Sequence, residues 1–331
     1  MNLTLPKQKV LIALAIVSLV LVCMPRFNGN QTFVKQEPWD AKYFNSYVNY
    51  FRGESHSAPI RPASNWRFLV PLLASALPFD APTSLNVLNI LFLLGALFFL
   101  HQSLYQLKIN REKIWLAIAL FIFSFPCFYY GTISYVDPGS VFFVSAGLYA
   151  WIRQKYWAFI LTILIGLMAK ETVAVLFPLA LVSTLIERKY ILFFALILFL
   201  LIFLLEYQLI KTYAPLSDGE IRFSNWKIST TAFWNNINRP HSWLAFVFSF
   251  GIPGFGLIQS IATHKMKLLE NPLLAGCLAG VASCIALYLF SFITTVADGR
   301  IIWHAYFYMF VVIFAPIKKQ AQASNNLHDR I

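Results

Sequence analysis

Charge is what this sequence has least of. Only 12% of its 331 residues are Asp, Glu, Lys or Arg, against roughly 25% in soluble domains, while 59% are apolar. So few charges cannot solvate a water-facing surface over so much apolar material, which argues against a soluble domain. Acidic residues are the scarcest, 14 against 26 Lys and Arg, for a net charge of +12. A nucleic-acid footprint would gather those basic residues on one soluble face. Here they stand in pairs and triplets between apolar runs, as topogenic charge does in cytoplasmic loops, so no nucleic-acid partner is expected. Cysteine is equally sparse: Cys23, Cys127, Cys277 and Cys284 lie in or at the edge of apolar runs, where a thiol behaves as a small hydrophobe. Cys277 and Cys284 share a helix face without zinc or haem spacing. Nucleophile elbow, phosphate loop, zinc spacing and redox pair are all missing, which removes support from most soluble enzyme classes and from energy-coupled transport ATPases. Neither low-complexity sequence nor an internal repeat of the transporter kind is present.

What is present is a series of long apolar runs. A membrane-crossing helix needs about 20 apolar residues, and candidate spans fall near 8–25, 85–104, 113–129, 138–153, 156–169, 171–186, 189–210, 242–262, 272–295 and 301–317. The expected fold is therefore all-α: a polytopic transmembrane helical bundle of about ten spans, forming a single integral membrane domain over 1–331. Lys7 and Lys9 before the first run give the outline of a signal peptide or anchor, but Val22 before Cys23 and the Met24-Pro25-Arg26 context suit no cleavage site, so an uncleaved first helix is expected. If the spans alternate, Lys7/Lys9, Lys108/Arg111/Lys113, Arg153/Lys155, Arg188/Lys189, Lys265/Lys267 and Lys318/Lys319 all fall on one side, the cytoplasmic one. Both termini are then inside. Phe68 to Phe79, broken by Pro71 and Pro78, reads as a short helix against the outer membrane surface, since counting it as a span would turn every basic cluster from Lys108 to Lys267 outward. Two outer loops remain, 26–84 and 211–241, the first carrying short amphipathic helices.

The other charges collect on the outer side or at outer helix ends: Glu37, Asp40, Asp80, Asp137, Lys170, Glu171, Asp218, Glu220, Asp298 and Arg300. Asp40 precedes aromatics at Tyr43, Phe44, Tyr47, Tyr50 and Phe51, a helical spacing that would lay one face on the bilayer. Its carboxylate either caps that helix or serves at the membrane surface. Asp137 before Pro138 suits an N-cap followed by Pro at the first helical position, with a second acidic or metal-binding role as the alternative. Lys170-Glu171 interrupts an apolar stretch from Trp157 to Ile186, as a solvated hairpin tip or as an anion contact at the outer rim. Arg300, after Gly299, has the planar fork that suits phosphate oxygens, or else anchors at the interface. Arg61 and Arg67 are further anion candidates that could equally snorkel to headgroups. His304, one turn below Arg300, reads as a core hydrogen-bonding residue.

A short N-terminus, one span, a long outer loop with an acidic residue near its start and a hydrophobic many-span remainder together resemble the GT-C superfamily of integral membrane glycosyltransferases. Tyr-Val-Asp-Pro-Gly at 135–139, Lys170-Glu171 followed by Pro178, Asp-Gly-Arg at 298–300 and Arg67-Phe-Leu-Val-Pro71 look like elements of small bacterial members. The first loop lacks the tight acidic pair of the better-known members. The resemblance implies transfer of a sugar from a polyprenyl-phosphate donor to a glycan, lipid or protein acceptor at the outer face of a bacterial inner (plasma) membrane, in the making of cell-envelope polysaccharide or a related product. It makes Asp40 the catalytic position, with Glu37, Asp137 and Glu171 as acidic companions and Arg61, Arg67, Lys170 and Arg300 on the donor phosphate. No ligand spacing decides between Mg²⁺, Mn²⁺ and no metal. A multi-pass transporter or lipid flippase is the leading alternative, and a non-catalytic assembly subunit, packing through Ala275, Gly276, Ala279 and Gly280, the third. The topology has its own check: a reporter fused after Lys108 is expected to read cytoplasmic, and an external reading overturns the map.

Overall fold

The computed structural model describes residues 5–29, 40–54, 66–213, 229–294, 297 and 299–316. Among them there are helices and no strand. In chain order these are α1 (Leu5–Cys23), closed by a 3₁₀ turn (Met24–Gly29), α2 (Ala41–Phe51), α3 (Leu69–Ser75), α4 (Ala81–Gln106), α5 (Arg111–Ile122), α6 (Phe125–Tyr130), α7 (Asp137–Ile152) and α8 (Tyr156–Ala169). A second 3₁₀ turn (Glu171–Val175) leads into α9 (Leu176–Ile186), followed by α10 (Tyr190–Tyr213), α11 (Thr230–Ile237), α12 (Pro240–His264), α13 (Met266–Glu270), α14 (Pro272–Thr294), α15 (Arg300–Trp303) and α16 (Ala305–Phe314).

Among the described residues five helical stretches are long and apolar enough to cross a membrane: Lys9–Phe27, Ala81–Gln106, Tyr190–Ile210, Pro240–His264 and Pro272–Thr294. The chain is accordingly a multi-pass membrane protein. The other five expected spans form shorter helices. The run at 113–129 is divided because Ser124 starts a new helix, its Oγ accepting from Cys127 N at 3.3 Å, and Pro126 follows within the first turn. At 1.5 Å per residue the 12 residues of α5 reach only about 18 Å, short of the roughly 30 Å of hydrocarbon.

At the centre stands α16, in which every residue from Ala305 to Val312 is buried. A helix that is apolar all round belongs inside, and α5, α7, α12 and α14 surround it. On the periphery α1 and α10 leave most of their apolar side chains exposed, Leu21, Ile191, Phe194 and Leu205 among them. Such faces suit hydrocarbon and would be an aggregation hazard in water.

Three hairpin tips close in one way. After α4, α7 and α9 the chain turns through a left-handed residue, Lys108 (φ 57°), Gln154 (φ 54°) and Arg188 (φ 55°). The following N–H reaches back five residues, from Ile109 to Leu104 O, Lys155 to Ala150 O and Lys189 to Thr184 O, at 2.9 to 3.1 Å. Glycine would be the cheaper choice for this cap. Lys108 and Arg188, and Arg153 and Lys155 on either side of Gln154, put positive charge near the helix C-termini, where the dipole favours it. Since α7 runs from Asp137 to this basic end and α8 runs back to Lys170, Asp137 and Glu171 stand at the opposite end of the bundle, while Glu112 and Glu187 lie beside the basic tips.

The described part of the first loop carries α2 and α3, and most of the face of α2 that was expected on the bilayer is packed inside the protein, Tyr50 alone of its five aromatics staying exposed. Tyr43, Phe44, Tyr47 and Val48 are buried, against α3 and α4. The small-residue face of α14 is also occupied from within the chain. A Cβ at Gly276 would stand 2.5 Å from Leu179 O and 2.1 Å from Ser183 Oγ of α9, and one at Gly280 would meet the ring of Tyr308. Gly276→Ala should therefore push α14 off α9 and cost about 1–3 kcal/mol, seen as a lower melting temperature in detergent. Gly256→Ala, facing only the flexible tip of Ile313 at 3.1 Å, should be close to neutral.

Candidate functional site

Four segments distant in sequence meet at the acidic end. Asp40 precedes α2 with helical backbone angles (φ −88°, ψ −21°), and its carbonyl accepts from Tyr43 N and Phe44 N. A capping side chain needs an extended backbone to reach the helix amides. The carboxylate of Asp40 makes no capping hydrogen bond, and the capping expectation gives way. It turns instead to Arg300, with Nη1 to Oδ2 at 3.1 Å. Asp137 is the first residue of α7 and Val136 holds the cap position, so here too the expected N-cap role is not played. Lys170 breaks the chain between α8 and the 3₁₀ turn with extended angles (φ −170°, ψ 138°), and it is buried. That excludes a solvated hairpin tip. Arg300 opens α15 after Gly299, whose missing side chain is needed because a Cβ there would lie 1.8 Å from Ser249 Oγ and 2.5 Å from Ala245 O of α12. The tight approach seats the turn on α12.

The charges pair in two groups. Asp137, with a side chain only 1% exposed, takes Lys170 Nζ on Oδ1 and has Arg300 Nη1 3.6 Å from Oδ2. Arg300 thus bridges Asp137 and Asp40, and its guanidinium lies over the ring of Tyr135 at 4.7 Å. In the second group Glu171 binds Arg67 through both carboxylate oxygens, with Nε to Oε2 at 3.0 Å, and Oε2 also accepts from Trp66 Nε1 at 3.1 Å. Burial works against the charge on Arg67, and the adjoining Glu171 carboxylate outweighs it, so the pKa of the guanidinium lies above its ordinary value. Three carboxylates and three cations therefore compensate one another.

Beneath the charged layer lies His304, fully buried. Its Nδ1 faces Ile301 O at 3.1 Å, and its Nε2 faces Ser140 Oγ at 2.7 Å and Thr172 Oγ1 at 3.3 Å. A carbonyl only accepts, so this arrangement assigns the proton to Nδ1 and leaves Nε2 to accept from a hydroxyl. His304 has the core hydrogen-bonding role expected of it. Beside α2, an open groove of about 810 Å³ is lined by Asn49, Arg52, Glu54 and Asp80. Arg52 there is structural: it donates to Ser75 O at 3.2 Å, Leu77 O at 2.7 Å and Ser84 Oγ at 2.9 Å, closing the end of α3.

Of the expected site residues, Asp40, Asp137, Lys170 and Arg300 are joined in one network, and Arg67 pairs with Glu171 in a second beside it. Glu37, Arg61 and Asp298 lie outside the described residues. Sequence reasoning missed Ser140, Thr172 and Trp66, which carry no signal of their own beyond standing within four residues of a charged one, while Tyr135 entered only as the first residue of the 135–139 element and not as a ring under Arg300. Among the described residues no group of three or more His, Cys, Asp or Glu stands where it could hold a metal ion. Comparison with known families, curated proteins and solved structures finds no match for this chain.

Breaking the inner pair should be costly. Lys170→Met leaves Asp137 buried with Arg300 alone and is expected to lose about 3–5 kcal/mol, read as thermal unfolding in detergent. The double variant Asp137→Leu, Lys170→Met should recover part of that loss, since it removes both charges together.

Proposed function

We propose that this chain is an integral membrane glycosyltransferase of GT-C type. It moves a sugar from a polyprenyl-phosphate donor to a glycan, lipid or protein acceptor, at the outer face of a bacterial inner membrane, with both termini cytoplasmic. The ten-crossing topology is part of the proposal, with the shorter helices completing the crossings. The single observation that carries it is the state of Asp40. Its carboxylate is released from capping, remains 26% exposed, and stands 3.1 Å from a guanidinium that is itself 19% exposed.

A sugar leaving from a lipid phosphate has an anionic leaving group, which needs electrostatic stabilisation more than a proton. One carboxylate is then enough. Asp40 accepts the proton of the acceptor hydroxyl as the oxygen attacks the sugar carbon from the face opposite the phosphate, and the configuration inverts. Arg300 faces the departing phosphate, with Arg67 at the rim and Lys170 held inside against Asp137, where it adds positive potential. A phosphate oxygen arriving at Arg300 competes with Asp40 for the same N–H groups, so donor binding frees the base for the acceptor. Asp137 and Glu171 act by positioning these cations.

The test is transfer of labelled sugar from a polyprenyl-phosphate donor by the purified protein. Asp40→Asn should lower the rate by about 10²–10⁴-fold, the usual contribution of a general base, with folding unchanged. Equal transfer by a folded variant removes Asp40 from the role. A transporter or flippase is the second reading, favoured by one observation: α12 is broken at Gly251 (φ 51°, ψ −157°) ahead of Pro253, as helices around transport sites often are. Substrate counterflow in liposomes that survives Asp40→Asn, without sugar transfer, decides for it.

A further inference from the structure

Two of the four cysteines meet in the fold. Cys23 ends α1 and Cys127 lies in α6, 104 positions apart in the chain, and both are fully buried. Cys23 Sγ lies 3.9 Å from Cys127 O, and the two thiols are themselves in hydrogen-bond contact. The residue beside them is Gly131, where a Cβ would stand 3.0 Å from Cys23 Sγ. Thr132 Oγ1 donates to Cys23 O at 2.7 Å and holds the end of α1 in this place. The other two cysteines offer a comparison. Cys277 and Cys284 share α14 seven residues apart, which at 1.5 Å per residue sets them roughly 10 Å apart. A disulfide spans no more than about 7 Å between Cα atoms, so that pair cannot be joined.

The place where Cys23 and Cys127 meet belongs to the end of the bundle that carries Asp137. Thr132 stands five residues ahead of Asp137 on the chain that leads into α7. In the topology of the transferase reading this end faces the outer compartment, where adjoining thiols are oxidised and stay so, whereas cytosolic thiols are kept reduced. Packing as small hydrophobes asks for no second thiol beside the first, since alanine would fill either position. Both residues are thiols in the structure. The bond needs the sulfurs about 2 Å apart, and side-chain rotation closes that gap from hydrogen-bond contact.

We propose that Cys23 and Cys127 form a disulfide that ties the outer end of α1 to α6. It rests on the outward placement of this end in the transferase reading and not on that reading's chemistry. The oxidant is a disulfide-carrying protein of the outer compartment. The thiolate of one cysteine attacks the donor's disulfide, giving a mixed disulfide and one donor thiol. The second thiolate then attacks the mixed disulfide, and the donor leaves as a dithiol. One S–S bond forms in this chain and one breaks in the donor, which takes up two electrons and two protons. Because both sulfurs are enclosed, exchange takes place before α1 seats on α6, and the finished bond is closed to reductants while the fold holds. The link constrains a long loop of the unfolded chain. It also steadies the segment that carries Tyr135, the ring under Arg300, toward Asp137.

The experiment counts thiols in the full chain made in the membrane of a bacterial host. Cells are quenched in acid, the protein is denatured with a maleimide present and no reductant, and its intact mass is measured. Wild type should take up maleimide at Cys277 and Cys284 only, and at all four cysteines after reduction. Cys23→Ser should add the now unpaired Cys127 to the unreduced count. Peptide mapping of unreduced wild type should recover the segments holding Cys23 and Cys127 joined. In detergent, the wild type unfolded, reduced and refolded with its thiols blocked should melt at least about 3 °C below the untreated protein, while Cys23→Ala, Cys127→Ala should melt alike with and without reductant. Four maleimides on unreduced wild type overturn the proposal, whether or not sugar is transferred. So does a cross-link mapped to any other pair, or an unreduced count unchanged in Cys23→Ser. The mapped cross-link without sugar transfer by wild type removes the transferase chemistry and leaves this inference standing.

Discussion

Asp137 has been taken almost wholly out of water, and a carboxylate in that position must be neutralised where it stands. Lys170 and Arg300 do this from two directions, and much of the charged end follows. Lys170 can reach Asp137 because the chain breaks out of α8 at that residue into an extended conformation. Arg300 can reach it because Gly299 lets the turn before α15 sit against the backbone of α12. One buried charge thus fixes three separate parts of the bundle relative to one another. It does so where apolar packing, which is tolerant of small shifts, would hold them less exactly in register.

The polar layer below extends the same constraint. His304 joins Ser140 of α7 to Thr172 of the 3₁₀ turn and hydrogen-bonds within α15, so the segments pinned by charge are pinned again by neutral hydrogen bonds. Directly beneath begins α16, buried on every side. The charged end is therefore anchored to the most enclosed helix of the fold, while α1 and α10 remain at the periphery.

Much of this was legible in the sequence, though unevenly. Apolar runs and basic hairpins reveal a membrane bundle with its two ends chemically different, because hydropathy and charge act locally and need no partner to be read. The interruption of an apolar run by Lys170-Glu171 marks a helix break, and aromatic spacing after Asp40 marks α2. What a single sequence cannot show is which charge meets which. Asp40 and Arg300 are 260 residues apart, and no local pattern at either end announces the other. The same holds for capping. Asp40 and Asp137 both occupy plausible cap positions, yet a distant guanidinium and ammonium compete more strongly than a neighbouring amide. Helix division is hidden in a similar way: the run at 113–129 is apolar throughout, but Ser124 and Pro126 make two helices of it. The face of α2 was misassigned because an aromatic stripe looks alike whether it meets lipid or protein.

The two carboxylates bound to Arg300 are not equivalent, and the difference bears on what the site can do. Asp137 is enclosed and held by a second cation, so exchanging its partners would leave a buried charge exposed to nothing. Asp40 is a quarter exposed, and Arg300 is its only described ion-pair partner. Water can take over its solvation at small cost, as for ion pairs near a surface. Any anion entering the site will therefore displace Asp40 from Arg300 before it disturbs Asp137. The inner pair serves as a fixed support and the outer pair as the exchangeable one, and that division lets a single arginine hold the fold together while still answering to a ligand.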